Sequence, residues 1–316
     1  MITFETKFLK QMNMKTMYVL IAGMLMVGNM FCQNANTYFN RGSTKYYNLD
    51  YKGAIEDFTK VIEMNPRDAK AYLSRGLSKY FLQNYEGDIA DQLKAIEINQ
   101  KYGDAYFNIG DAKYNLQDYE GAIESYTKAI EINPKDAMAL ISRGLTKQYM
   151  KNYIAAIEDY TLAIKVQPDL ADAYIDRGIS KYYLEMYNEA IIDYSKAIQI
   201  SSNSDAFYNR GNAKYALKDT KGAMADYNRA IEINTKNSKP YLNRGVLKAE
   251  LNNHKGAIED FSKAIDLSAR FSDAYYNRGV SKIALGEKAN ACSDFQKAEE
   301  MGHIMAPSAI QKYCKN

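Results

Sequence analysis

The sequence predicts an all-α solenoid: stacked helix pairs closed by a short final helix. Three observations predict it. A marker glycine recurs at a nearly constant interval, small and aromatic residues sit at fixed offsets from it, and little chain is left over. The glycines are Gly42, Gly76, Gly110, Gly144, Gly178, Gly211, Gly245 and Gly279. Six of their seven intervals are 34 residues, and Gly178 to Gly211 is 33. A fixed period in this range marks supersecondary units that bury their apolar faces only by stacking.

Each unit reads as two helices. Four residues before the glycine stands Tyr38, Tyr72, Tyr106, Leu140, Tyr174, Phe207, Tyr241 or Tyr275. In the second helix Ala122, Tyr126, Ala129 and Ile130 lie at i, i+4, i+7 and i+8, one helical face. Glycine and alanine let two helix axes approach closely, and the aromatics fill the space beside them. Asn-Pro at 65–66 and 133–134 ends the second helix, because the residue before proline is pushed out of the α region.

The run Tyr72-Leu73-Ser74-Arg75-Gly76-Leu77-Ser78-Lys79 resembles the start of a tetratricopeptide repeat, aromatic–x–x–Leu–Gly–x–x–Tyr. It departs in having Arg for the usual Leu and Lys for the usual Tyr. The resemblance divides residues 33–305 into eight repeats: 35–68, 69–102, 103–136, 137–170, 171–203, 204–237, 238–271 and 272–305. It implies antiparallel helix pairs in a right-handed superhelix, with first helices lining a concave groove that holds a peptide or another protein.

Residues 1–32 lie outside the pattern. Lys7, Lys10 and Lys15 precede an apolar run from Tyr18 to about Phe31, too short for a comfortable span of about 20 residues. Basic, then apolar, then Gln-Asn-Ala reads as a signal peptide cut after Cys32, and Met14-Lys15 would make a more ordinary start. An exported, periplasmic or secreted protein is therefore expected. The alternatives are an N-terminal membrane anchor, through lipid on Cys32, and an uncleaved apolar start on a cytosolic protein. Removing three lysines and Glu5 from 41 basic and 38 acidic residues leaves a near-neutral chain. That balance makes no case for nucleic acid or an anionic membrane.

Four repeats depart from the pattern. Repeat 1 has Thr37 among Asn34, Asn36 and Asn40, the polar outer face a terminal repeat needs. Repeat 2 has Asp88 where the others have Ala and Gln92 where they have an aromatic. An unpartnered buried carboxylate is costly, so Asp88 is expected to pair with a cation or stay wet. Repeat 5 is one residue short, and a local change of pitch is expected. Repeat 8 has Glu299 where others have Ile, and Gly302 breaks its helix. Ala306-Pro307-Ser308 then opens a capping helix, 306–316, whose Ala309, Ile310 and Tyr313 cover the apolar end.

Three constellations stand out. Cys292 faces the element that follows, which carries Cys314; export predicts a disulfide between them, and retention two buried thiols. Arg precedes seven of the eight glycines, Lys stands at +3 of all eight, and Asp stands at +15 of seven. Repeat 3 has Ile109 and Ser125 in place of Arg and Asp, so the two are expected to pair within a repeat. Each exposed pair would contribute about 0.5 kcal/mol.

The third is the groove. Asn108, Asn209, Asn243 and Asn277 stand two residues before the glycine. They resemble the asparagine ladder of the repeats of O-linked N-acetylglucosamine transferase, which implies capture of an extended peptide backbone. An amide both donates and accepts, so it suits that task. In the last three repeats these amides are expected to be unpaired with protein. Tyr114, Tyr182, Tyr183 and Tyr215 lie beside them, and tyrosine suits an interface. The plainer readings are a solvated consensus amide and inter-repeat packing. Apolar Phe39, Leu73 and Phe107 occupy a key position of the family's carboxylate clamp, which disfavours a tail-binding co-chaperone.

Nothing points to catalysis. His254 and His303 make no metal spacing, and no phosphate loop or nucleophile elbow occurs. No catalytic residue, metal, cofactor or small-molecule substrate is expected, and the partner is a protein or peptide. A scaffold is the first expectation. Its rivals are an envelope assembly subunit using its convex face or ends, and a regulatory repeat subunit of a separate enzyme.

Overall fold

The computed structural model describes residues 34–315. The expected leader, 1–32, lies outside them. Among the described residues every regular element is a helix. Contacts divide the chain into two compact units, ending at Thr146 and starting at Lys147.

The first unit holds α1 (34–47), α2 (Tyr51–Met64), α3 (Ala69–Phe81), α4 (Tyr85–Ile98), α5 (Gly103–Asn115) and α6 (Tyr119–Ile132). The division falls in α7 (Ala137–Tyr149). The second unit continues with α8 (Tyr153–Val166), α9 (Ala171–Tyr183), α10 (Tyr187–Ile200), α11 (Ser204–Ala216) and α12 (Thr220–Ile233). It ends with α13 (Ser238–Glu250), α14 (His254–Leu267), α15 (Ser272–Ala284), α16 (Lys288–Glu300) and α17 (Ala306–Tyr313).

A repeated turn joins the two helices of a pair. Leu49, Gln83, Gln117, Lys218 and Asn252 each take a left-handed φ between 61° and 65°. The next residue caps the second helix: Asp50, Asn84, Asp118, Asp219 and Asn253 each accept from the N–H three residues on. That donor is a glycine in these five repeats, and Ala155 takes the same place over Asn152. The cap satisfies an otherwise orphan N–H, which offsets the cost of the left-handed residue.

Within a pair the marker glycine receives a ring. A Cβ on Gly178 would meet Tyr194 at 2.6 Å, and one on Gly245 would meet Phe261 at 2.6 Å. Tyr194, Tyr227, Phe261 and Phe295 are at most 1% exposed, and burying one such ring contributes roughly 2–3 kcal/mol. Between pairs the small residues meet, as Ala197 meets Ala206 beside Tyr174 and Ile175. At the end of the second unit α17 lays Ala309, Ile310 and Tyr313 over Phe295 and Ala291. Cys292 and Cys314 are bonded there, with Cα atoms 5.7 Å apart.

The charge ladder is more deeply set than exposed pairs would be. Asp193, Asp226, Asp260 and Asp294 are 2–4% exposed. Asp260 takes both Nε and Nη2 of Arg244, at 2.9 and 2.6 Å, and Nζ of Lys248 at 2.8 Å. The same three-way contact recurs at Asp91 with Arg75 and Lys79. The expected 0.5 kcal/mol is therefore too small, since a carboxylate this buried depends on its cations. The ladder also crosses repeats. The remaining arm of Arg244 donates to Asn228 Oδ1 of the preceding second helix at 2.7 Å, and that of Arg278 to Ser262 Oγ at 3.0 Å. Repeat 3 shows the alternative: Ser125 Oγ donates to the Gly121 carbonyl, and Lys113 turns to Asp118 at 3.9 Å.

Candidate functional site

The helix face of α9, α11 and α13 turned away from their second helices carries a cleft of about 330 Å³. Its walls are Tyr182 from α9, Tyr208, Asn212 and Tyr215 from α11, and Asn243 and Val246 from α13, with Tyr227 of α12 at the back. Helical periodicity gathers them: residues 208, 212 and 215 lie at i, i+4 and i+7.

Its polar centre is Asn212. Tyr227 Oη donates to Asn212 Oδ1 at 2.9 Å, and Asn243 Nδ2 donates to the same oxygen at 2.8 Å. Asn243 Nδ2 also lies 3.4 Å from Tyr208 Oη. Two groups of this pair remain open, Asn212 Nδ2 as a donor and Asn243 Oδ1 as an acceptor. Neither is a buried orphan, so both reach solvent. Asn243 thus differs from the expectation of an unpaired amide: its N–H side is held by Asn212, which fixes its oxygen outward. Replacing Tyr227 with Phe keeps the ring and removes one bond to Asn212. A loss of about 1 kcal/mol is expected, measurable by thermal melting.

The other predicted residues are dispersed. Asn209 is half-buried and does not line the cleft. Asn277 differs from the unpaired amide expected, because its Nδ2 is bonded to the Asp273 carbonyl of its own helix at 2.8 Å. Asn108 and Tyr114 belong to the first unit, where Asn108 is buried and Tyr114 packs edge-on against Tyr119 at 5.5 Å. Tyr183 is exposed and stacks on Tyr153 at 5.0 Å, outside the cleft walls. Tyr182 and Tyr215 do line it. Burial raises the Tyr182 pKa. Burial, then its hydrogen bond to the Glu250 carboxylate, pushes the Tyr215 hydroxyl up to about 12, so it stays a donor.

Asn212, Tyr208 and Val246 are cleft residues beyond the predicted groove, and Tyr227 is the ring sixteen after Gly211. No general rule of the repeat marks Asn212: Asp111 and Asn212 follow their glycines in repeats whose ring is Tyr126 or Tyr227, but Ser43 goes with Phe58, and Leu145 and Ile179 go with Tyr160 and Tyr194. In unit one Tyr126 Oη donates to Asp111 Oδ1 at 2.6 Å.

On the same face Asp176 holds the ladder position of repeat 5. Burial, then nearby Asp172, pushes its carboxyl up to about 7. Among the described residues no group of His, Cys, Asp and Glu is arranged to hold a metal ion. No helix among them is long and apolar enough to cross a membrane.

Family models described as tetratricopeptide repeats match residues 39–103, 103–136, 139–170, 204–237, 238–271 and 272–301. No curated protein matches the chain. Among solved structures it is similar to a tetratricopeptide repeat protein from Parabacteroides merdae, at 19% identity and TM-score 0.61, covering 78% of this chain and 99% of that one. It is also similar to the C-terminal part of a repeat protein from Cytophaga hutchinsonii, at 18% identity and TM-score 0.62, covering 76% and 98%. A third is the Cut9–Hcn1 hetero-tetramer of the APC/C, at 13% identity and TM-score 0.60, covering 87% and 55%. Sequence models along most of the chain and the paired-helix fold agree, and the chain belongs to the tetratricopeptide repeat family, whose arrays bind protein or peptide partners.

Proposed function

We propose that this chain is a non-enzymatic scaffold that holds an extended peptide segment on the first-helix face of its second unit. One observation carries the reading. Asn212 Nδ2 and Asn243 Oδ1 are an open donor and an open acceptor, side by side in a tyrosine-walled cleft. An extended backbone presents the matching C=O and N–H, and aromatic walls supply contact area at low entropic cost. Charge narrows the partner. Arg177, Lys181, Arg210, Lys214, Arg244 and Lys248 of α9, α11 and α13 are committed to Asp193, Asp226 and Asp260, which leaves Lys239 against Asp172, Asp176, Asp205 and Glu250 on these helices. The face suits a neutral or basic segment over an acidic tail. The expected leader and the Cys292–Cys314 bond both suit an exported protein with eight repeats and a C-terminal cap.

The test is binding of mixed-sequence peptide pools of basic, neutral and acidic composition to the full chain and to Asn212→Ala/Asn243→Ala. Basic and neutral pools are expected to bind, with at least a tenfold loss in the variant at unchanged helicity. Undiminished binding by the variant would move the site to the second-helix face, where Ile154 and Ile192 are 65% and 67% exposed.

A further inference from the structure

Repeat 2 carries a buried polar pair that the peptide face does not use. Asp88 and Gln92 lie one turn apart on α4, and both are 0% exposed. They occupy the slot that a ring fills in other repeats. A Cβ on Gly76 would meet Asp88 Oδ1 at 2.6 Å and Gln92 Nε2 at 2.7 Å. Gln92 Nε2 donates to Asp88 Oδ1 at 2.7 Å. Each side chain then has one oxygen left, Asp88 Oδ2 and Gln92 Oε1, and both are buried with no hydrogen-bond partner.

Two orphan acceptors on a pair already joined by one N–H···O bond have one economical solution. A proton on Asp88 Oδ2 donates to Gln92 Oε1 and closes a cyclic acid–amide pair. One proton then satisfies both atoms, and removing it leaves two acceptors and a charge in a dry slot. We propose that Asp88 and Gln92 form a proton-operated latch in repeat 2, closed when Asp88 is a neutral acid and loosened when it ionises.

The surroundings agree. The two cations of this repeat's ladder are committed elsewhere. Lys79 is committed to Asp91 at 2.7 Å, and Arg75 to the same carboxylate at 2.6 Å. From the next pair Asp111 faces Asp88 with like charge, and Tyr80 adds a neutral hydroxyl. Burial, opposed by the Gln92 bond and reinforced by Asp91 and Asp111, raises the Asp88 carboxyl to about 6. A folded-state pKa above the unfolded one means stability present at low pH and lost as pH rises through about 6. In place of the expected cation, Asp88 is fully buried with an amide as its partner.

The test uses Asp88→Asn in the full chain. Asparagine presents an N–H where the acid presents its proton, so it mimics the closed latch at every pH. In the parent protein the carboxyl carbon of Asp88 is expected to titrate near 6 by NMR. Amide exchange in α3 and α4, corrected for intrinsic rates, is expected to quicken by about a hundredfold between pH 4 and 7.5, two pKa units of coupling. In Asp88→Asn it should stay slow and flat. Gln92→Leu checks the partner: it removes the amide and should abolish the rescue by Asp88→Asn. An Asp88 carbon titrating near 4, or parallel exchange profiles in the two proteins, would overturn the proposal.

Discussion

Replacing Asp260 with alanine is expected to destabilise the second unit by about 3 kcal/mol, the low end of the range for breaking a buried ion pair. The carboxylate is 4% exposed and is gripped by Arg244 and Lys248. Without it two cations face each other in a partly dry crevice. Their side chains are 18% and 22% exposed, so they recover some hydration, which sets the low end. Arg244→Met is expected to cost less, about 1–2 kcal/mol, because Lys248 still neutralises Asp260. Repeat 3 supplies the control. Arg244→Ile with Asp260→Ser installs the pair that repeat 3 carries as Ile109 and Ser125, and should recover at least half of the loss. Urea unfolding ranks these costs, and the parent with Asp260→Ser, Arg244→Ile and their combination makes the double-mutant cycle. Equal cost for the two single changes, with no recovery in the double, would show that carboxylate burial is not what sets the energy.

Breaking the Cys292–Cys314 bond, by reduction or by Cys314→Ser, is expected to cost the C-terminal cap about 3 kcal/mol, from the loop that a 22-residue separation closes. The remaining hold on α17 is apolar contact of Ala309, Ile310 and Tyr313 with Ala291 and Phe295. That contact is small, so α17 should open before the rest of the unit. Amide exchange of residues 306–313 should quicken by about a hundredfold or more, while α13 and α14 change little. The newly exposed Phe295 should bind an apolar dye. Unchanged exchange in the reduced protein would mean that packing alone seats the cap.

Much of the architecture was legible because the repeat is a local code. A residue sixteen positions after a glycine meets it through one turn whose geometry the intervening residues set. The Arg–Asp pairing was readable from a single joint loss, Ile109 with Ser125. Its depth was not, because Arg244, which grips Asp260, is also held by Asn228 of the preceding second helix. The amide positions were readable as a row. Asn243 turning to Asn212 was not, because its rotamer follows a neighbour a repeat away, and Asn277 turns instead to the Asp273 carbonyl of its own helix.

By itself the sequence determined the all-α fold, the helix pairs and the contact of ring with glycine, since each rests on spacings within about one period. Only the tertiary structure decided which polar groups are left open. It joined Tyr227, Asn212 and Asn243 from three helices into a cleft centre. It also closed the slot around Asp88 and Gln92, where exclusion of water turns two polar side chains into a pair one proton short. Hydrogen bonds and desolvation depend on what every packed neighbour contributes, and periodicity along one chain does not carry that information.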